Sequence, residues 1–145
     1  MFIGGSFIKG GYEARHAPDK DTQEAQAAAS AAESQHEQEY KRTVRRVLNG
    51  VRSLKNGMRD PDSFVLEDAI VTDATGAMCF NYRSRNGFGG MNRGAAFVIA
   101  NTTVLVTSEH LGFDSGWRKY CQNKQGRDYV SDLKINGFIP DTTKN

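Results

Sequence analysis

The feature that most constrains this chain is the spacing of apolar residues between positions 40 and 58. Tyr40, Val44, Val47, Leu48, Val51, Leu54 and Met58 recur at steps of three and four around the adjacent Val47 and Leu48. That period puts them on one stripe of an α-helix and on no single face of a strand. A continuous apolar stripe needs a second layer to cover it, so the helix by itself predicts a packed partner element. Arg42, Arg45, Arg46, Arg52 and Lys55 occupy much of the remaining helix surface. They read either as a solvated basic face or as a surface for an anionic partner. Gly50 sits within the stripe and weakens a helix by up to ~1 kcal/mol relative to Ala. Gly57 and the run Asp60, Pro61, Asp62 end the helix, because the residue before a proline is pushed out of the α region.

Upstream of this stripe the pattern changes. Residues 22–39 are Ala-rich and polar all round. Such a segment can be helical but has little to bury, so residues 21–39 read as a projecting helix or a frayed, partly disordered extension. Residues 1–20 read as a flexible N-terminal arm ending near Pro18, with Asp19 or Asp21 as the helix cap. The start, MFIGGSFIKGGYE, has no basic leader and no continuous apolar run, so it does not match a signal peptide. No stretch approaches the ~20 apolar residues of a transmembrane helix.

Downstream the period shortens to two. Residues 63–72 are strand-like with imperfect alternation, and residues 73–76, Asp-Ala-Thr-Gly, carry turn chemistry. Residues 77–85 alternate well: Met78, Phe80 and Tyr82 point one way, Cys79, Asn81 and Arg83 the other. Residues 95–101 and 102–108 are two strands, or one long strand bent near Asn101. Residues 115–124 suit a short helix carrying Trp117, Tyr120 and Cys121. Residues 129–139 read as a final strand or a loop, and 141–145 as a disordered tail. The expected fold is α+β: a long N-terminal amphipathic helix on a small antiparallel sheet of three to four strands, one domain over 21–140. A chain of 145 residues is long enough for such a core.

The net charge of +2 conceals a local excess, because residues 41–60 hold seven Lys or Arg against one Asp. A second basic region is the stretch RSRNGFGGMNRG at 83–94. It fails as a dinucleotide loop, since a strand pattern and not a helix follows it, and no Gly-Lys-Ser/Thr is present for a phosphate loop. It reads as a strand connection turning at Asn86 and Gly87, spending roughly eight residues where a hairpin needs about two to five. Phe88 either tucks into the core or stands out as a contact. Arg83, Arg85 and Arg93 are solvent charges or, with Asn86, Phe88, Gly89 and Gly90, a candidate binding loop for a protein or anionic partner.

Little in the chain suggests catalysis. His16, His36 and His110 are scattered, Glu109 and His110 lie at a strand end, and no Ser/His/Asp order, zincin motif or calcium loop is present. A Cys79–His110 pair has only coexistence in its favour. No cofactor and no metal are expected. Nucleic-acid binding has the helix charge and Tyr82 or Phe88 for stacking, yet no recognition motif. Cys79 and Cys121 fit no zinc spacing, and composition leaves free thiols and a disulfide equally open.

Around MRDPDSFVLEDAIV and MCFNYRSRNGFGGMNRGAAFV the chain resembles a family of small bacterial proteins, many exported or lipoproteins and some phage-encoded. The residues that carry the resemblance are Met58, Asp60, Pro61, Ser63, Cys79, Asn86, Phe88, Gly89 and Gly90, within residues 44–121. It implies a periplasmic or envelope location and a Cys79–Cys121 disulfide, and it implies no catalytic role. The N-terminus departs from the exported members in lacking a lipobox cysteine or leader. The expected function is a non-enzymatic interaction module of the bacterial envelope. The alternative is a cytoplasmic or phage-derived protein that binds nucleic acid or an effector through the basic helix.

Overall fold

The computed structural model describes residues 20–140. The expected arm over 1–20, save Lys20, the expected tail 141–145 and His16 lie outside the described residues. The chain divides into two units, Met1–Lys41 and Arg42–Asn145. Helix α1, Lys20–Asn56, begins in the first and ends in the second. In the first unit every side chain from 20 to 39 is exposed, as expected of a segment without an apolar stripe. Glu37 and Lys41 pair across one turn at 3.8 Å, a surface contact worth a few tenths of a kcal/mol.

The second unit starts where the apolar stripe starts. Val44, Val47, Leu48, Val51 and Leu54 are all buried. After α1, a 3-10 turn at Pro61–Ser63 has its proline in the first turn, where a missing N–H leaves no intrahelical bond unmade. Strands β1 (Val65–Thr72), β2 (Met78–Arg85), β3 (Met91–Val98), β4 (Leu105–Thr107) and β5 (Gly126–Asp128) form one antiparallel sheet in the order β4-β3-β2-β1-β5. Helices α2 (Phe113–Tyr120) and α3 (Val130–Ile135) complete the described residues.

Several local expectations are corrected. The sheet has five strands, because β5 is three exposed residues that pair with the edge of β1, and no hydrophobic alternation marks it. Residues 130–135 form a helix that buries Val130 and Leu133, where a strand or loop was expected. The run from 95 to 108 is not one bent strand: Asn101 adopts φ 65°, and β4 folds back so that Val98 faces Leu105 and Ala96 faces Thr107. The imperfect alternation of β1 is a β-bulge between Leu66 and Asp68. It inserts Glu67, so the buried positions Leu66 and Ala69 stand three residues apart.

Strand β2 is buried on both faces. Phe80 is fully buried and Met78 nearly so, and both lie against α1 at Gly50. A Cβ on Gly50 would stand 2.9 Å from Phe80 Cζ, closer than carbon atoms can approach. Gly50 is therefore what lets helix and sheet meet, and its poor helix propensity is offset by that packing. On the opposite face, Ala77, Cys79, Phe97, Phe113 and Cys121 form a second core cluster. Phe97 lies 5.7 Å from Phe113 and 5.9 Å from Tyr120 between ring centres, so α2 covers this face. Cys79 and Cys121 are joined by a disulfide with Cα atoms 5.9 Å apart, 42 residues apart in sequence. Closing a loop of that length stabilises the fold by roughly 3–4 kcal/mol through the unfolded chain's entropy. Thr75 Oγ1 donates to the Tyr120 carbonyl at 3.1 Å, tying the β1–β2 turn to the same end of α2.

Gly50→Ala provides a test by sign. Helix propensity alone stabilises the variant by up to ~1 kcal/mol. The Phe80 contact predicts destabilisation of about 1–3 kcal/mol instead, measured by urea unfolding.

Candidate binding site

The candidate loop is the tip of the β2–β3 hairpin. β2 ends at Arg85 and β3 begins at Met91, so the connection is residues 86–90, shorter than the sequence suggested. Residues 91–94 are strand: Met91 faces Arg85, Asn92 faces Ser84, Arg93 faces Arg83 and Gly94 faces Tyr82. Their polar character hid the pairing. Gly94 admits the Tyr82 ring, which lies within 2.6 Å of where a Cβ would be.

Asn86 organises the tip. Its Oδ1 accepts the N–H groups of Phe88 at 2.8 Å and Gly90 at 3.0 Å. Its own N–H donates to the Gly90 carbonyl at 2.7 Å, and its carbonyl accepts from Gly89 at 3.2 Å. Gly89 has φ 87°, a conformation open to glycine at little cost. The result is a closed turn with Phe88 at its crest, 98% exposed. Of the two orientations left open for Phe88, the outward one is present.

The base of the hairpin is clamped by the turn after α1. Ser63 Oγ accepts the Arg85 N–H at 2.7 Å and donates to the Asp60 carbonyl at 2.7 Å. The Asp60 carboxylate pairs with the Arg85 guanidinium at 3.5 Å, and Ser84 Oγ donates to Met58 Sδ at 3.4 Å. Met58, Asp60 and Ser63 thus meet the end of β2, immediately before Asn86, Phe88, Gly89 and Gly90. Residues singled out in two separate stretches of sequence make one structural unit. Cys79 belongs to the other end of the same strand.

The three loop arginines are placed differently from one another. Arg83 and Arg93 sit opposite each other across β2 and β3, an arrangement that repels. Glu67, displaced by the bulge, accepts both, at 3.0 Å from Arg83 and 3.6 Å from Arg93. Arg93 remains 79% exposed. Arg59, which the sequence reading did not single out, lies with its guanidinium against Gly87, Cζ 3.3 Å from where a Cβ would be. It makes no ion pair among the described residues. Its place after the end of the apolar stripe gave no hint of the hairpin it reaches.

Beside the tip lies an open groove of about 760 Å³ lined by Met58, Arg59, Tyr82, Asn92, Arg93 and Glu109, among others. Burial raises the Tyr82 phenol above its ordinary value of 10, helped by Glu109 and opposed by the Ser108 hydroxyl.

Of the remaining candidates, Arg42, Arg45, Arg52 and Lys55 are exposed on α1, whereas Arg46 is half-buried. His110 Nδ1 accepts the Thr107 N–H at 2.9 Å and so shapes the turn after β4. His36 is exposed on α1. Cys79 has no thiol to offer a histidine, being bonded to Cys121. Among the described residues no group of three or more His, Cys, Asp or Glu is placed to hold a metal ion, and no helix is long and apolar enough to cross a membrane. Comparison with protein families, with curated proteins and with solved structures finds no match.

On β1, Asp68 accepts from Asn81 Nδ2 at 3.3 Å. Its pKa is raised above 3.8 by burial, with the negative charge of nearby Asp128 adding. A raised folded-state pKa gives a contribution that is fully present below the unfolded value and lost as pH rises through the folded one. Asp68→Asn is therefore expected to be more stable than the parent at pH 7, with the difference disappearing below about pH 3.8. Thermal unfolding across that pH range checks it.

Proposed function

We propose that this protein is a non-enzymatic interaction module of the bacterial envelope that engages a protein partner through the β2–β3 tip. Phe88 is the anchor. Arg59, Arg85 and Arg93 form a basic rim suited to carboxylates on the partner. The observation that carries the reading is a phenylalanine 98% exposed on a turn whose backbone is fixed by Asn86. Exposed aromatics on pre-ordered loops lose little entropy on binding and are favoured as contact hot spots. Met91, also exposed, extends the apolar surface toward the strand. Arg83 and Arg93 both pair with Glu67, and Arg83, the less exposed of the two, contributes less to the rim.

The Cys79–Cys121 disulfide supports an envelope location, because such bonds persist in oxidising compartments. The alternative, a nucleic-acid or effector-binding protein of the cytoplasm or of phage origin, has in its favour the exposure of Arg42, Arg45, Arg52 and Lys55 on α1. It predicts binding that weakens steeply with salt, and a gel shift at low and moderate salt separates the two.

Phe88→Ala is expected to leave stability within about 0.5 kcal/mol of the parent, since the side chain has no core contact. It should abolish capture of a specific protein from envelope extracts, while Ile135→Ala, also highly exposed and outside the groove beside the tip, should retain it. An identical set of captured proteins for parent and Phe88→Ala overturns the proposal.

A further inference from the structure

The two edges of the sheet are finished differently. Beside β1, β5 pairs with Ile70–Thr72, and Asp128 and Tyr129 take up the N–H and carbonyl of Ala69 at 3.1 and 2.8 Å. The bulge between Leu66 and Asp68 distorts what remains, a common way of blunting an edge. Beside β3 the cover stops early. β4 pairs only with Ala96, Phe97 and Val98. The Ser108 N–H still reaches the Ala95 carbonyl at 2.9 Å, and the chain then turns away, His110 N–H donating to the Thr107 carbonyl at 2.9 Å. Met91, Asn92 and Arg93 continue β3 beyond that point and are exposed. The bond from Asn86 N–H to the Gly90 carbonyl fixes which way their backbone faces. Bonded and unbonded pairs alternate along an antiparallel ladder, so Asn92 is in bonded register with Ser84. The N–H and carbonyl groups of Met91 and Arg93 therefore point away from β2. Among the described residues nothing meets those groups.

We propose that an extended segment of a protein partner adds to the sheet as a strand along Met91–Arg93, antiparallel to β3, with an acidic residue opposite Arg93 and an apolar one opposite Met91. This rests on the reading of the hairpin as the contact and names its backbone mode. Main-chain bonds supply the pairing and alternate side chains the selectivity. Arg93 is 79% exposed and shares the single carboxylate of Glu67 with Arg83, so the face is left positive and a carboxylate across from it is attractive. Because the added strand runs antiparallel, its acidic residue comes two places before its apolar one. Glu109 follows Ser108 at the covered end of the edge, so one acidic residue opposite Arg93, and not an acidic run, is the match. A second copy of this chain fits less well. Pairing about Asn92 would set the two Arg93 side chains on one face as diagonal neighbours, and like charges there repel.

The test is titration of the full chain with the acetylated, amidated peptide Thr-Thr-Glu-Thr-Val-Thr-Thr, followed by the amide shifts of Met91 and Arg93. Saturable shifts are expected, with affinity roughly 10-fold weaker when Lys replaces the Glu of the peptide. N-methylation of the Glu and Val amides, which would donate to β3, should abolish the shifts. N-methylation of the Thr between them, which faces away, should not. Arg93→Glu places a carboxylate opposite Arg83, is expected to fold, and should reverse the preference between the Glu and Lys peptides. Phe88→Ala should keep the peptide shifts, because the pairing uses the backbone of Met91 and Arg93. The absence of saturable shifts, equal effects of the two N-methylations, or a preference that Arg93→Glu leaves unreversed overturns the proposal. Loss or broadening of the Met91 and Arg93 amide signals with protein concentration alone also overturns it, in favour of a second copy on the edge. The two readings fail separately. Peptide pairing with unchanged capture by Phe88→Ala rejects the anchor, whereas capture lost in Phe88→Ala without peptide pairing rejects the added strand.

Discussion

The structure depends on β2 being buried on both faces at once. Phe80 and Cys79 are consecutive residues, so the pleat sends one toward α1 and the other toward α2. Phe80 reaches the helix because Gly50 leaves room for its ring, and Cys79 is bonded to the end of α2. A one-residue slip of this strand would exchange a phenylalanine and a disulfide between two differently shaped cores, so the register has no nearby alternative. With β2 fixed, β1 and β3 pair along its length and the remaining elements follow.

A strand held so firmly at one end can present something at the other. The last residues of β2 are met by the turn after α1, where Ser63 and Asp60 hold Arg85 and Met58 receives Ser84. The helix that packs on the core thereby also sets the base of the hairpin. Beyond that clamp, Asn86 closes the turn and leaves Phe88 outside. Folding gains nothing from an exposed phenylalanine, so its placement on an ordered turn favours a role in contact. The Glu67 bulge serves the same region, since the carboxylate it redirects lets Arg83 and Arg93 stand opposite each other.

Much of this was legible in the sequence where one period dominated. The stripe from Val44 to Leu54 has no reading except a core helix, and the alternation from Met78 to Tyr82 has none except a strand. Legibility failed where pairing or packing, and not local pattern, decides. Residues 126–128 become a strand only because β1 has an open edge. Residues 91–94 are too polar and glycine-rich to look like the strand that they form opposite β2. Gly50 looked like a weakness because helix propensity is local and the Phe80 ring is not. Arg46 and Arg59 were both ordinary basic residues in sequence, and only the third dimension buries part of one guanidinium and lays the other against Gly87. The loop was recognisable as a candidate from its glycines and lone aromatic, but the direction of Phe88 required the Asn86 hydrogen bonds to be seen.

The ordering of the hairpin tip is read by backbone relaxation of the amide groups of Phe88 and Gly90, the two that donate to Asn86 Oδ1. If the turn is held as described, their order parameters match rigid backbone, about 0.85. Values below about 0.6 would mean a mobile tip that does not pre-order Phe88, and would contradict the view of this hairpin as a prepared contact.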